Sequence, residues 1–178
     1  GIVMVEEFMS GAEVSVEAMT VNGKTEIISI TDKYITPPPY FVEIAHSEPS
    51  RLGGEIQERI REVALQAIRA IRLQNGPSHT EIKVTEEGPK VVEIAARLGG
   101  DFITSRLVPL STGVDLVGAS VRLAAGEALD LSVKWQRAAA IHFIQSGKGK
   151  LRRLEIGEEI FRMDGVEEAV LYKKAGDT

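Results

Sequence analysis

The sequence predicts an α+β fold: a mainly antiparallel sheet backed by two helices and followed by a small β-rich C-terminal piece. Three observations predict it. Short runs of alternating apolar and polar residues recur between turn signals, most clearly at 80–84 and 90–97. Asn22-Gly23 joins two further runs as a hairpin. Residues 53–73 carry Ile56, Ile60, Val63, Ala67 and Ile71 at spacings of three and four, the pattern of an amphipathic helix. The texture changes near Leu131, so the chain divides on sequence into 1–130 and 131–178.

Taken in order, residues 1–21 read as an apolar strand, the stretch Glu6-Glu7-Phe8-Met9, a Ser-Gly turn and a second strand beginning near Glu13. Opening on a buried-looking strand with no lead-in suggests a fragment. Residues 20–36 continue as strand, turn and strand. Pro37-Pro38-Pro39 interrupts regular structure, and 40–50 reads as a loop over a site. The helix of 53–73 stops at Asn75-Gly76-Pro77 and turns its charged side to water. After 79–101 and a loop over 101–112, a second helix is expected at 113–125. Thr112 and Asp115 form its capping box and Gly126 ends it. In the tail, strands are expected at 138–144, 150–153 and 169–172, with a short helix or turn over 157–165. The final 175–178 is turn-like.

Composition narrows the chemistry. A chain of 178 residues with 43% hydrophobic content can bury a sizeable core. A net charge of −5, with no basic stripe beyond the 148–153 cluster, disfavours a nucleic-acid partner. We read that cluster as a solvated hairpin. The absence of cysteine excludes disulfides, thiolate catalysis and a cysteine zinc site. No apolar run approaches the ~20 residues of a membrane span, and no signal peptide precedes the first strand. The expectation is a cytoplasmic protein without a membrane partner.

The stretch His-Thr-Glu-Ile-Lys-Val at 79–84, the turn residues Glu87, Gly88 and Pro89, and the run at 90–97 read as two strands. Period two puts Glu93, Ala95 and Arg97 on one face. If that face lies beside the one carrying Glu81, two carboxylates converge with a guanidinium beyond. Such a pair, lacking histidine or thiol co-ligands, suits a hard ion such as Mg²⁺. Spacing alone is equally compatible with a charged surface hairpin.

This stretch resembles the metal-binding hairpin of the ATP-grasp superfamily, which includes biotin carboxylase, carbamoyl-phosphate synthase, D-alanine:D-alanine ligase and the L-amino-acid ligases. Glu81 matches the first metal carboxylate, Glu93 the second, and Arg97 the arginine at the phosphates. Ala95 stands where many members have asparagine. That places the chain nearer the L-amino-acid and dipeptide ligases and leaves the number of metal ions open. The earlier VEEFMSGAEVSVE resembles the family's adenine hinge. The resemblance implies adenine contacts from Glu6, Glu7, Phe8 and Met9 and a ribose contact from Glu13, where the residues alone also allow an ordinary hairpin. It further implies a γ-phosphate contact for Lys33, otherwise a solvent-facing lysine at a strand end. Substrate contacts follow for Glu43 and His46, and oxyanion-stabilising N–H groups for Gly99 and Gly100. Arg106 is a substrate-carboxylate partner or a structural ion pair.

The implied fold is the C-terminal lobe of an ATP-grasp enzyme with a small β-rich cap. The implied activity is that of a carboxylate-amine ligase using ATP and Mg²⁺, or Mn²⁺, through an acylphosphate. Its partners would be ATP, a small carboxylate and an amine, together with the N-terminal lobes that this sequence does not contain, in a monomer or a homodimer. Two alternatives remain: carboxyphosphate chemistry of the biotin-carboxylase or carbamoyl-phosphate-synthase kind, and a non-catalytic dimerisation or binding module.

Overall fold

The computed structural model describes residues 2–145 and 147–177, and the chain divides into two units between Phe143 and Ile144. The first unit is organised by a six-stranded antiparallel sheet. Its strands are β1 (Ala12–Val21), β2 (Lys24–Ile35), β3 (Glu43–Glu48), β4 (Gly76–Thr85), β5 (Gly88–Ala95) and β6 (Ala139–His142). They lie in the order β5-β4-β1-β2-β3-β6. Asn22 and Gly23 join β1 to β2 with φ of 50° and 75°. A two-residue hairpin turn of type I′ needs positive φ at both central positions, and Asn-Gly supplies it at least cost. The Gly23 N–H also donates to the Gln74 carbonyl at 2.9 Å, tying this turn to the segment that follows the first helix.

Alternation then gives the sheet two different faces. Val14, Val16, Ile30 and Ile82 pack against Ile60 and Ala64 of α1 (Gly54–Ala70). The helix lies within the predicted 53–73, but Ile71 caps its C-terminus and is 43% exposed. A register shift between Glu17 and Ala18 interrupts the pairing of β1 with β2. Beyond it, Met19 and Ile28 join a second core with Ile103, Leu107, Val108, Val114 and Leu116. These come from a π-helical turn (Ile103–Leu107), α2 (Val108–Thr112), α3 (Leu116–Ala124) and the link between the last two, which carries Val114. No single described helix is long and apolar enough to cross a membrane.

Several expectations change. Residues 2–10 form no strand, and Ile2, Val3, Met4 and Val5 are at least 77% exposed. A strand needs a hydrogen-bonded neighbour, and the described residues place none beside them. The presumed loop at 40–50 contains β3, an inner strand of the sheet. Its buried positions hold His46 and Glu48, and this polar interior hid the strand pattern. The turn between β4 and β5 falls at Glu86-Glu87, with Gly88 and Pro89 already in β5. Pro89 is tolerated there because β5 is an edge strand. The 101–112 loop is largely helical. Asp115, not Thr112, caps α3, accepting from the Gly118 N–H at 2.8 Å. Thr112 closes α2 instead, donating from Oγ1 to the Val108 carbonyl at 2.7 Å.

The segment after Leu131 remains part of the first unit. Leu129 and Leu131 pack on the second core, and the Lys134 and Arg137 N–H groups donate to the Thr112 and Ser111 carbonyls. The division therefore lies after residue 143, not after 130. In the second unit the described residues form a 3₁₀ turn (Glu158–Arg162) and no strand. The expected strands at 150–153 and 169–172 are absent, and in place of the 148–153 hairpin Leu151 exchanges backbone hydrogen bonds with Gly176 and Asp177. Phe161, Met163, Val170, Leu171 and Tyr172 remain 44% or more exposed, too little cover to reward a sheet. Gly1 and Thr178, at the ends of two expected segments, lie outside the described residues.

Ile60 is fully buried between α1 and the sheet, so Ile60→Ala removes contacts and opens a cavity. We expect a loss of about 2–5 kcal/mol in urea unfolding followed by circular dichroism, whereas less than about 1 kcal/mol would deny Ile60 a core role. Glu48 is 1% exposed and accepts from Thr31 Oγ1 at 2.9 Å, and burial pushes its carboxyl up from 4.5 to about 7. Between those pH values the folded chain retains a proton that the unfolded chain has lost. Stability attributable to Glu48 therefore falls as pH rises from about 4.5 to 7, then levels. Glu48→Gln should be the more stable form at pH 8, by roughly 3 kcal/mol, and should lack that slope. Parallel pH-stability curves for the two proteins would contradict it.

Candidate active site

The strand register collects charge on one face of the sheet. Glu13 of β1 is flanked by Lys33 of β2 and Lys83 of β4, Ser15 lies beside Glu81, and Glu17 lies beside His79. Lys33 is at the centre. Its side chain is 2% exposed, and its ammonium meets Glu13 at 3.0 Å, Glu43 at 2.8 Å and Glu81 at 2.9 Å. Burial opposes the charge, yet the three carboxylates hold its pKa well above the ordinary lysine value. Lys33 is thus enclosed by acids rather than facing solvent. Glu13 also meets Lys83 at 2.6 Å. Burial works against its charge too, but Lys83 and Lys33 bring its pKa below the usual carboxylate value.

Glu81 and Glu93 lie opposite each other across β4 and β5. Their surroundings differ. Glu81 Oε1 faces Lys33 and, at 3.3 Å, His79 Nε2. The His79 hydrogen bond, with Lys33 reinforcing it against burial, pulls Glu81 down to about 2. His79 Nδ1 lies 2.5 Å from Glu17 Oε1, and both side chains are nearly inaccessible. Burial would lower the imidazole pKa, but Glu17 and Glu81 raise it to about 9. Glu93 is 61% exposed and lies 3.9 Å from Arg97, which follows the strand and donates to the Leu98 carbonyl at 3.0 Å. One carboxylate is held rigidly and the other is presented outward. Together they offer the oxygen donors that a hard cation takes.

The glycine pair adjoins this network. A Cβ at Gly99 would stand 2.8 Å from both Glu17 carboxylate oxygens and from His79 Nδ1, whereas one at Gly100 would meet open space. The Gly99 carbonyl accepts from Thr104 Oγ1 at 2.5 Å. Asp101 and Phe102 follow with φ of 48° and 62°, backbone that non-glycine residues adopt at some cost. This turn brings Asp101 to β3. One ligand atom each from Glu43, His46 and Asp101 falls within 4.8 Å of the others, a grouping able to receive a cation or an ammonium. His46 is 1% exposed, 3.6 Å from Asp101, and burial lowers its pKa although Asp101 opposes the shift. Burial and then Asp101 raise Glu43. Arg106 is exposed on the π-helical turn and donates to the Ser105 carbonyl at 3.2 Å.

Glu6, Glu7, Phe8, Met9 and Glu13 line a cleft of about 410 Å³ with Lys83, Lys90, Phe41, Val91 and Val92. Its size suits a small-molecule ligand. Lys90 meets Glu7 at 3.1 Å, and the Phe8 and Phe41 rings lie 6.1 Å apart. Four charged residues near these positions escaped the sequence reading: Glu17, His79, Lys83 and Asp101. His79 was within reach, since it shares Glu81's strand face at a spacing of two. Glu17 was not, because only the pairing of β1 with β4 brings it to His79.

The ATP-grasp domain family matches residues 1–105. An uncharacterized protein of Sinorhizobium fredii is 34% identical over 175 residues, 98% of this chain and 36% of that protein. Carnosine synthase of Mus musculus is 31% identical over 120 residues, 67% of this chain and 14% of that protein. A solved L-amino acid ligase from Bacillus licheniformis superposes with a TM-score of 0.85 at 24% identity, covering 95% of this chain and 44% of that one. The chain thus spans less than half the length of each of these relatives. With the match over residues 1–105, the chain belongs to the ATP-grasp family.

Proposed function

We propose that this chain forms one wall of the nucleotide site of an ATP-dependent carboxylate-amine ligase, with preceding lobes of a longer polypeptide supplying the rest. The observation carrying this reading is the convergence of a nucleotide-sized cleft, lined by the expected hinge residues, and a row of carboxylates on the same sheet face. The relatives' names, a synthase and a ligase, agree with it.

In this reading Glu6 to Met9 border adenine, and Glu13 accepts from the ribose hydroxyls with lone pairs left free by Lys33 and Lys83. Glu81 and Glu93 would hold Mg²⁺, or Mn²⁺; the all-oxygen donor set fits either ion, which when bound neutralises charge on the phosphates. Lys33, enclosed by Glu13, Glu43 and Glu81, fixes the spacing of these carboxylates beside the phosphates. Arg97 offers its guanidinium to the transferred phosphoryl group. A substrate carboxylate oxygen attacks the γ-phosphorus and ADP leaves. The amine nitrogen then attacks the acyl carbon of the acylphosphate, phosphate leaves, and an amide remains. Gly99 and Gly100 direct backbone N–H groups at the developing oxyanion. Glu43 and the buried, neutral His46 receive the amine and its proton. Arg106 binds a substrate carboxylate. Its use of ATP supports a cytoplasmic location for the activity.

The test is calorimetry and turnover on the intact protein with Glu93→Gln. Because Glu93 is largely exposed, its melting should shift by no more than about 0.5 kcal/mol in stability. Magnesium-dependent ATP binding should disappear and ADP release should fall about 10²-fold or more. Near-normal ADP release in the folded variant would refute the assignment of Glu93.

A further inference from the structure

We propose that Glu17 and His79 are positioning residues: a buried pair that orients the Glu81 carboxylate toward the metal and seats the Gly99 loop beside it. The inference rests on the reading that Glu81 holds the metal.

An isolated buried carboxylate is costly, so a chain that buries Glu17 to 1% exposure must compensate it. His79 does so through Nδ1. The other Glu17 oxygen, Oε2, has no hydrogen-bond partner among the described residues, so the imidazole is the principal hold on that side chain. The same ring turns Nε2 to Glu81 Oε1 at 3.3 Å. The two ring nitrogens face Glu17 and Glu81 from opposite sides, so one imidazole spans both carboxylates. Residues behind metal ligands commonly fix them in this way, and their loss typically weakens metal binding 10–100-fold. Gly99 adds an independent observation. Its backbone lies so close to the pair that any side chain would strike Glu17 and His79, so the ring and carboxylate also set where the glycine loop can lie. A purely structural ion pair would stabilise the fold without favouring either His79 nitrogen.

The two ring nitrogens can be separated by substitution. Asparagine places its amide near the Nδ1 position and glutamine near Nε2, so His79→Asn retains the partner of Glu17 while His79→Gln retains the partner of Glu81. On the intact protein, Mn²⁺ affinity in the presence of ATP and ATP affinity without metal would be measured by calorimetry, alongside thermal melting. We expect His79→Asn and Glu17→Gln to weaken Mn²⁺ binding about 10–100-fold with metal-free ATP affinity unchanged, and His79→Gln to recover part of that loss. Gly99→Ala should weaken Mn²⁺ binding as well. Ile60→Ala, which loosens the core away from the pair, should melt earlier yet keep wild-type Mn²⁺ affinity in its folded form. If Glu81→Gln loses Mn²⁺ but the folded His79 and Glu17 variants bind it normally, the positioning inference is overturned and the metal assignment stands. If Glu81→Gln itself binds Mn²⁺ as the wild type does, the underlying reading falls and takes this inference with it.

Discussion

Three carboxylate oxygens lie within 3.0 Å of one buried ammonium, and the candidate site is arranged around that fact. Alternation along β1, β3 and β4 directs Glu13, Glu43 and Glu81 toward the same region, where without a counter-charge they would repel one another in a poorly solvated interior. Lys33, from the strand between β1 and β3, removes the conflict. Desolvating a lysine is expensive, and the charge survives here because three partners share it. Removing any one partner changes the balance for the others. The carboxylates are consequently held at defined separations before any ligand arrives, which is the preorganisation that charge-stabilising sites depend on.

The sheet can carry such a face because its opposite face carries none of it. Val14, Val16, Ile30 and Ile82 alternate with the polar row and bury against α1, so over residues 13–17 of β1 the even-numbered residues serve folding and the odd ones chemistry. A one-residue slip in register would exchange the two faces and place acids in the core. The Asn22-Gly23 turn and its bond to Gln74 guard against that slip. The register shift after Glu17 then lets the end of the sheet build a second apolar core with α2 and α3. Glu17 and Glu48 lie close to that change of texture, which explains how carboxylates come to be buried so deeply.

Local order was therefore the legible part of this chain. The Asn-Gly hairpin, the helix around Ile60 and the β4–β5 pair announce themselves through turn chemistry and periodicity. β3 did not, because its buried residues are a histidine and a glutamate. The opening segment read as a buried strand, but an apolar run needs a neighbour as well as a composition. For the site, Glu81 and Glu93 could be paired from sequence because a short turn joins their strands. The Glu17–His79 contact spans 62 residues and depends on how β1 meets β4, information absent from any local window. Lys33 was found, but its carboxylate partners were not legible, since the three acids come from three other strands.

The exposed apolar side chains make a further point about how the site is divided. Phe8, Phe41, Val91 and Val92 are each 37–72% exposed, and all four line the same cleft with Glu13 and Lys83. Scattered apolar residues need no explanation, but a convergent set beside fixed charges defines an amphiphilic ligand surface. In the proposed function the purine base lies on the apolar part and its sugar and phosphates on the charged part. Glu81 is held from within by Lys33 and His79, while Glu93 stands on an edge strand and faces outward. The rigid half of the candidate metal site thus belongs to the folded core, and the open half lies where ligand can still enter.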